Sequence, residues 1–141
     1  MEKNSDIQFR SPEEIKLYQE ARLTETLAYL QAHSRFYQQM FKEHSIDITR
    51  IKKIEDLQQI PVTTKTDLQL HNSEFICVDP DGIIDYVTTS GTLGDPVTFV
   101  LTSKDLDRLA YNEYLSFNTA GCSRHDILQL MTTIDRRFMA G

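Results

Sequence analysis

Between Tyr86 and Phe99 the chain reads YVTTSGTLGDPVTF. Thr88, Thr89, Ser90 and Thr92 carry hydroxyls that donate to phosphate oxygens. Gly91 and Gly94 let the backbone approach closely and turn its N–H groups toward one point. The chemistry of such a run is anion binding, and many donors on one loop suit a group that arrives, reacts and leaves. It is not a Walker phosphate loop, which needs Gly, four residues, then Gly-Lys-Ser/Thr. Nor is it a dinucleotide fingerprint, since Gly91 and Gly94 supply only a fragment of GxGxxG. An ordinary Ser/Thr/Gly loop accounts for the composition equally well, so residue order and surroundings have to decide.

Other reactive side chains are scattered. His33, His44, His71 and His125 form no metal spacing with Cys77 and Cys122, so no metal site is assigned. Each histidine reads as a surface or satisfied structural residue, and both cysteines as small buried hydrophobes. Lys65 sits exposed at a helix start. Near the end, Phe138 could pack against an aromatic acid, and Arg136 or Arg137 could attract a carboxylate or phosphate. A helix start packing on the rest of a domain is the plainer account of that segment. No catalytic residue is assigned in this chain.

The elements that must position the loop are legible from patterning. Ser11-Pro12-Glu13-Glu14 is a capped helix start. Ile15, Tyr18, Arg22, Leu23, Leu27 and Leu30 follow at helical spacing, to about Ala32. Ser34 caps a second helix that carries Phe36, Tyr37, Met40 and Phe41 on one face. A short helix is expected around Ile54–Leu57, and Thr64 caps another, with Asp67 near its positive end. Strands are expected at Phe75–Val78, Ile83–Thr88 and Val97–Leu101, with turn chemistry at Asp79-Pro80-Asp81-Gly82. Ser103 is expected to cap a long helix whose apolar face holds Leu106, Leu109, Ala110, Tyr114, Leu115 and Phe117. Gly121 ends it, and Ile127–Met131 reads as a buried strand. A helix joining Val97–Leu101 to Ile127–Met131 is a βαβ crossover, hence part of a parallel sheet with further layers. The fold class is α/β: N-terminal helices, then short strands and a βαβ unit. Residues 1–70 are expected to be mostly helical, and 71–141 mixed strands and helix around the loop.

With 141 residues, 40% hydrophobic and 26% charged, the composition is that of a folded domain of ordinary size. A net charge of −6 and a pI near 5.1 argue against nucleic acid as partner. Arg50-Ile51-Lys52-Lys53 is the one basic cluster and reads as a solvated helix edge. No run approaches the roughly 18 apolar residues of a membrane span. MEKNSDIQFR lacks the apolar core of a secretory signal, and with no disulfide framework suggested by Cys77 and Cys122 the expected location is a reducing cytoplasm.

The order of residues changes the weighting between the two accounts of the opening loop. Thr89-Ser90-Gly91-Thr92-Leu93-Gly94-Asp95-Pro96 resembles the phosphate loop of the adenylate-forming, or acyl-CoA synthetase, superfamily. Ser34-Arg35-Phe36-Tyr37, Ile54-Glu55-Asp56-Leu57, Ile60-Pro61, Thr63-Thr64-Lys65 and Asp67-Leu68 are similar in kind and order to its phenylacetate–CoA ligase branch. So is Leu101-Thr102-Ser103-Lys104-Asp105 leading into a helix that ends at Ala120-Gly121. The resemblance runs from about Ala21 onward and corresponds to roughly the first third of such an enzyme, an incomplete part of its large N-terminal domain.

That resemblance implies a mechanism. Such enzymes activate a carboxylic acid with ATP and Mg2+ to an acyl-adenylate, release pyrophosphate and pass the acyl group to a thiol, usually coenzyme A. By position, Thr89, Ser90, Gly91, Thr92 and Gly94 would line the ATP phosphates, with Thr88 a weaker candidate and Phe138 in the substrate pocket. Leu93 replaces a common hydroxyl residue, and Asp95 stands where a cation or neutral residue is usual. The family's adenine, ribose and acyl-pocket segments and its mobile C-terminal domain have no counterpart here, so the chain alone should not complete the reaction. Two other readings stay open: a stand-alone binding or interaction module, with Ile127–Met131 covered in a homodimer, and an adenylating enzyme that loads acyl groups onto a protein.

Overall fold

Helix α1 (Pro12–His33) begins at a reciprocal capping box. Ser11 Oγ accepts from Glu14 N at 3.2 Å, and Ser11 N donates to the Glu14 carboxylate at 3.0 Å. Ser34 both ends α1 and starts α2 (Arg35–Glu43). Its N–H donates to Leu30 O at 2.9 Å, and its Oγ accepts from Tyr37 N at 3.4 Å. The Ser34 hydroxyl also donates to Glu74 O at 3.2 Å, so this fully buried polar side chain is satisfied.

The computed structural model describes residues 7–89, 95–127, 129 and 131. They divide into two units, Met1–Cys77 and Val78–Gly141. In the first, Leu27, Phe41 and Ile51 form the core, with Leu23, Tyr37, Ile46, Ile48 and Ile60 packed on it. Burying each large side chain contributes roughly 1.5–3 kcal/mol. The aromatic stripe of α2 turns the same way: Phe36 stacks on Phe75 with ring centres 4.0 Å apart, and Tyr37 meets Phe75 edge-on. Past α2 the chain reverses through Ser45, at φ 53°, and Ile46 N donates back to Phe41 O at 2.8 Å. This is the left-handed helix exit that glycine normally occupies.

The connector holds 3-10 turns at Ile48–Arg50 and Ile54–Gln59. Lys16 on α1 forms an ion pair with Glu55 of the second turn. Helix α3 (Lys65–Leu70) starts at the Thr64–Asp67 box, Thr64 N donating to Asp67 at 2.7 Å. The strand expected at Phe75–Val78 is absent. Asn72–Phe75 forms a 3-10 turn instead, and the next three residues belong to no strand. Phe75 is held by its stacking on Phe36, and Cys77 O accepts from Tyr29 OH at 3.0 Å, so tertiary contacts override the local β preference.

In the second unit, β1 (Asp85–Thr88) and β2 (Thr98–Leu101) pair antiparallel, Asp85 opposite Leu101 and Thr88 opposite Thr98. Pro80–Gly82 makes the expected turn before them. Helix α4 (Ser103–Thr119) is capped by Thr102, not Ser103: Thr102 N donates to Asp105 at 2.9 Å, and Asp105 N returns to Thr102 Oγ1 at 3.4 Å. The shift by one residue follows from Asp105 lying three after Thr102, the spacing a box requires. Gly121 ends α4 at φ 84°, with Cys122 N donating to Phe117 O at 2.9 Å. Leu109 and Leu115 of the expected apolar face are half-buried, whereas Leu106, Tyr114 and Phe117 are exposed. Of the expected Ile127–Met131 strand, Ile127, Gln129 and Met131 belong to no strand, and Leu128 and Leu130 lie outside the described residues. Among the described residues the sheet is therefore the β1–β2 pair. A strand exists only where a ladder partner bonds it, and no described residue does so for these three. No helix among the described residues is long and apolar enough to cross a membrane.

Candidate phosphate-binding site

The β1–β2 hairpin delivers the two ends of the Ser/Thr/Gly stretch to one place. Thr89, just past β1, donates its N–H to Val97 O at 3.0 Å, and Val97 N donates to Thr89 Oγ1 at 3.0 Å. The ladder thus gains one more rung beyond Thr88 and Thr98, with a hydroxyl standing in for a carbonyl. Val87 and Val97 are buried, and Thr88 and Thr89 half-buried. Asp95 and Pro96, on the returning arm, are exposed. Ser90, Gly91, Thr92, Leu93 and Gly94 lie outside the described residues, as do Arg136, Arg137 and Phe138. Among the sequence-predicted phosphate ligands, the structure brings Thr88 and Thr89 to the mouth of the hairpin.

A hydroxyl holds one proton and two lone pairs. Accepting from Val97 therefore leaves the Thr89 proton to donate. That proton is a hydroxyl donor that the described residues place beside the loop with its acceptor side already engaged. Among the described residues no group of three or more His, Cys, Asp or Glu could hold a metal ion.

Several of the remaining titratable groups have structural partners. His71 Nδ1 lies 3.0 Å from Glu74 Oε1, and the His33 ring packs 4.6 Å from that of Tyr29. Arg50 pairs with Asp47 at 3.3 Å, while Lys52 and Lys53 are solvated and give their backbone N–H groups to Asp56. Lys65 is exposed. Cys77 and Cys122 are free and half-buried, and burial raises the Cys77 pKa. Asp67 is held below the ordinary carboxylate range by the Thr64 hydroxyl and then its N–H. Asp105 is lowered by the Thr102 N–H, against the opposing effect of burial. A groove of about 340 Å³ in the first unit is lined by Phe36, Met40, Val62, Asp67, His71 and Glu74 among others. Its acids are engaged within the fold, Asp67 in the α3 cap and Glu74 with His71. Sequence reasoning missed the Thr89–Val97 bond. The available signal was a β-branched hydroxyl residue directly after a strand.

No family model matches the chain. It is 32% identical to the phenylacetate–coenzyme A ligase of Thermus thermophilus over 110 residues, covering 77% of this chain and 25% of the relative. It is 29% identical to the phenylacetate–coenzyme A ligase of Escherichia coli over 122 residues, covering 85% of this chain and 28% of the relative. In fold it is similar to 2-hydroxyisobutyryl-CoA ligase, solved in complex with 2-HIB-AMP and CoA. The TM-score there is 0.69 at 25% identity, over 77% of this chain and 24% of that one. The chain spans about a quarter of the length of the curated relatives it matches, somewhat less than the third that motif order suggests. By sequence it is similar to phenylacetate–coenzyme A ligases, and by fold to an adenylate-forming acyl-CoA ligase, in each case over about a quarter of the relative's length.

Proposed function

We propose that this chain is the phosphate-binding portion of an ATP-dependent acid–coenzyme A ligase acting in the cytoplasm, with an aromatic, phenylacetate-like acid as substrate. The observation that carries the reading is the hairpin: a Thr-Ser-Gly-Thr-Leu-Gly stretch whose ends are bonded together at Thr89 and Val97, in a fold similar to that of an acyl-CoA ligase. In the proposed reaction the substrate carboxylate attacks the α-phosphorus of ATP and pyrophosphate departs. Negative charge builds on the leaving β- and γ-phosphates. Fixed donors aimed at that charge stabilise the transition state more than the ground state.

Thr89, Ser90, Gly91, Thr92 and Gly94 supply those donors, with Thr88 beside them. Mg2+, when bound with ATP, neutralises phosphate charge. Asp95 is exposed and can point away from the phosphates. Phe138 is assigned to the acid pocket, and the acyl-adenylate passes its acyl group to coenzyme A through residues beyond this chain.

The test is ATP–pyrophosphate exchange by the full-length protein with phenylacetate. Gly91→Val places a branched Cβ where the phosphates approach. Exchange should fall at least about a hundredfold, the scale of losing transition-state donors. Undiminished exchange in a folded Gly91→Val protein would remove the loop from the mechanism.

A further inference from the structure

The bond between Thr89 and Val97 uses a side chain where the ladder would otherwise use main chain. In an antiparallel pair whose N–H groups exchange, Val97 N–H would bond the carbonyl opposite it. Here it bonds Thr89 Oγ1 at 3.0 Å, while Thr89 N–H bonds Val97 O at 3.0 Å. Both residues sit in low-exposure surroundings, Val97 at 2%. Thr is stiff at χ1, so a hydroxyl held by a buried N–H has few other places to go. An N–H donor on one lone pair also leaves the single hydroxyl proton free to point elsewhere.

We propose that Thr89 is a positioning residue: its hydroxyl, fixed by Val97 N–H, sets the separation of the two arms of the hairpin and orients its own proton outward toward a phosphate oxygen. The inference rests on the phosphate-binding reading above. It assigns to Thr89 a role that Ser90, Thr92 and the glycines do not share. Those residues are proposed only to present donors, whereas Thr89 presents one and also holds the frame through Val97. A serine in its place keeps the oxygen and its proton. A valine keeps the shape and the β-branching but loses both.

The experiment follows backbone amides by NMR while inorganic pyrophosphate with Mg2+ is titrated into the whole chain, and it measures hydrogen exchange at the Val97 amide. Millimolar binding is detectable this way. The wild-type chain should shift at Thr89 and Val97 on titration, and its Val97 amide should be protected. Thr89→Val should weaken pyrophosphate binding about tenfold and speed Val97 exchange about tenfold, the scale of one lost hydrogen bond. Thr89→Ser should stay within about threefold of wild type in both, and Thr89→Ala should repeat the valine result. Binding unchanged in Thr89→Val would overturn the positioning role while leaving the phosphate reading intact. Weakened binding with Val97 exchange unchanged would also overturn it, making Thr89 a plain donor. A wild-type chain that shows no shifts would sink the phosphate reading, and the inference with it.

Discussion

Ser34 performs four tasks with one small side chain and its peptide. Its N–H closes α1 on Leu30, its carbonyl accepts from Gln38 N at 2.9 Å in the first turn of α2, its hydroxyl caps α2, and the same hydroxyl reaches Glu74 O. Removing the oxygen leaves Tyr37 N without its cap and Glu74 O without this donor. Ser34→Ala should therefore destabilise the fold by about 1–2 kcal/mol, the range for a lost cap plus a buried hydrogen bond. Urea denaturation of the two chains measures it, and a loss under about 0.3 kcal/mol would show the cap is replaceable. Ser45 offers the opposite case. It holds φ 53° at an exposed helix exit, while α4 places Gly121 at φ 84° in the equivalent position. An L side chain is disfavoured there. Ser45→Gly should raise stability by about 0.5–1 kcal/mol, read as an upward shift in the thermal midpoint.

At the scale of elements, three helices start at boxes of one design: Ser11–Glu14, Thr64–Asp67 and Thr102–Asp105. Asp56 plays the same part without a hydroxyl cap, lowered first by the Lys53 N–H and then by that of Lys52. Asp56, Asp67 and Asp105 all titrate below their ordinary value. A carboxylate whose folded pKa is depressed contributes stability that is full above its unfolded pKa, about 3.9, and lost as pH falls through the folded value. Thermal midpoints should thus hold steady from neutral pH to about 4.5 and drop below that. Asp67→Asn should flatten the drop, and an equally steep drop in that variant would assign the acid transition to other groups.

These starts are legible in the sequence because a box is local: a hydroxyl and an acid three residues apart carry the whole instruction. The α2 stripe is legible for a similar reason, one face repeating at helical spacing. Phe75–Val78 is not, because an apolar run of four residues has no period of its own. Its fate is decided by Phe36, which is remote in sequence. Thr102 and Ser103 compete as caps because both are hydroxyl residues, and only the position of Asp105 separates them.

For the whole molecule, the loop motif points to a family and the comparisons with phenylacetate–coenzyme A ligases agree. The site is legible as a composition of donors with a residue order. The rung at Thr89 and Val97 is not, since it depends on β1 and β2 finding an eight-residue separation across the loop. Leu106, Tyr114 and Phe117 stand exposed on α4.

The Ser34–Glu74 bond joins residues 40 apart, and the Tyr29–Cys77 bond spans 48. Both close loops far longer than the three-residue boxes that start the helices. Closing a long loop costs chain entropy before its contacts give anything back, so short-range order forms first. Ser34 therefore belongs to two moments of folding at once: its grip on Tyr37 can form as soon as α2 does, whereas its grip on Glu74 must wait for α3 and the Asn72–Phe75 turn to swing into place.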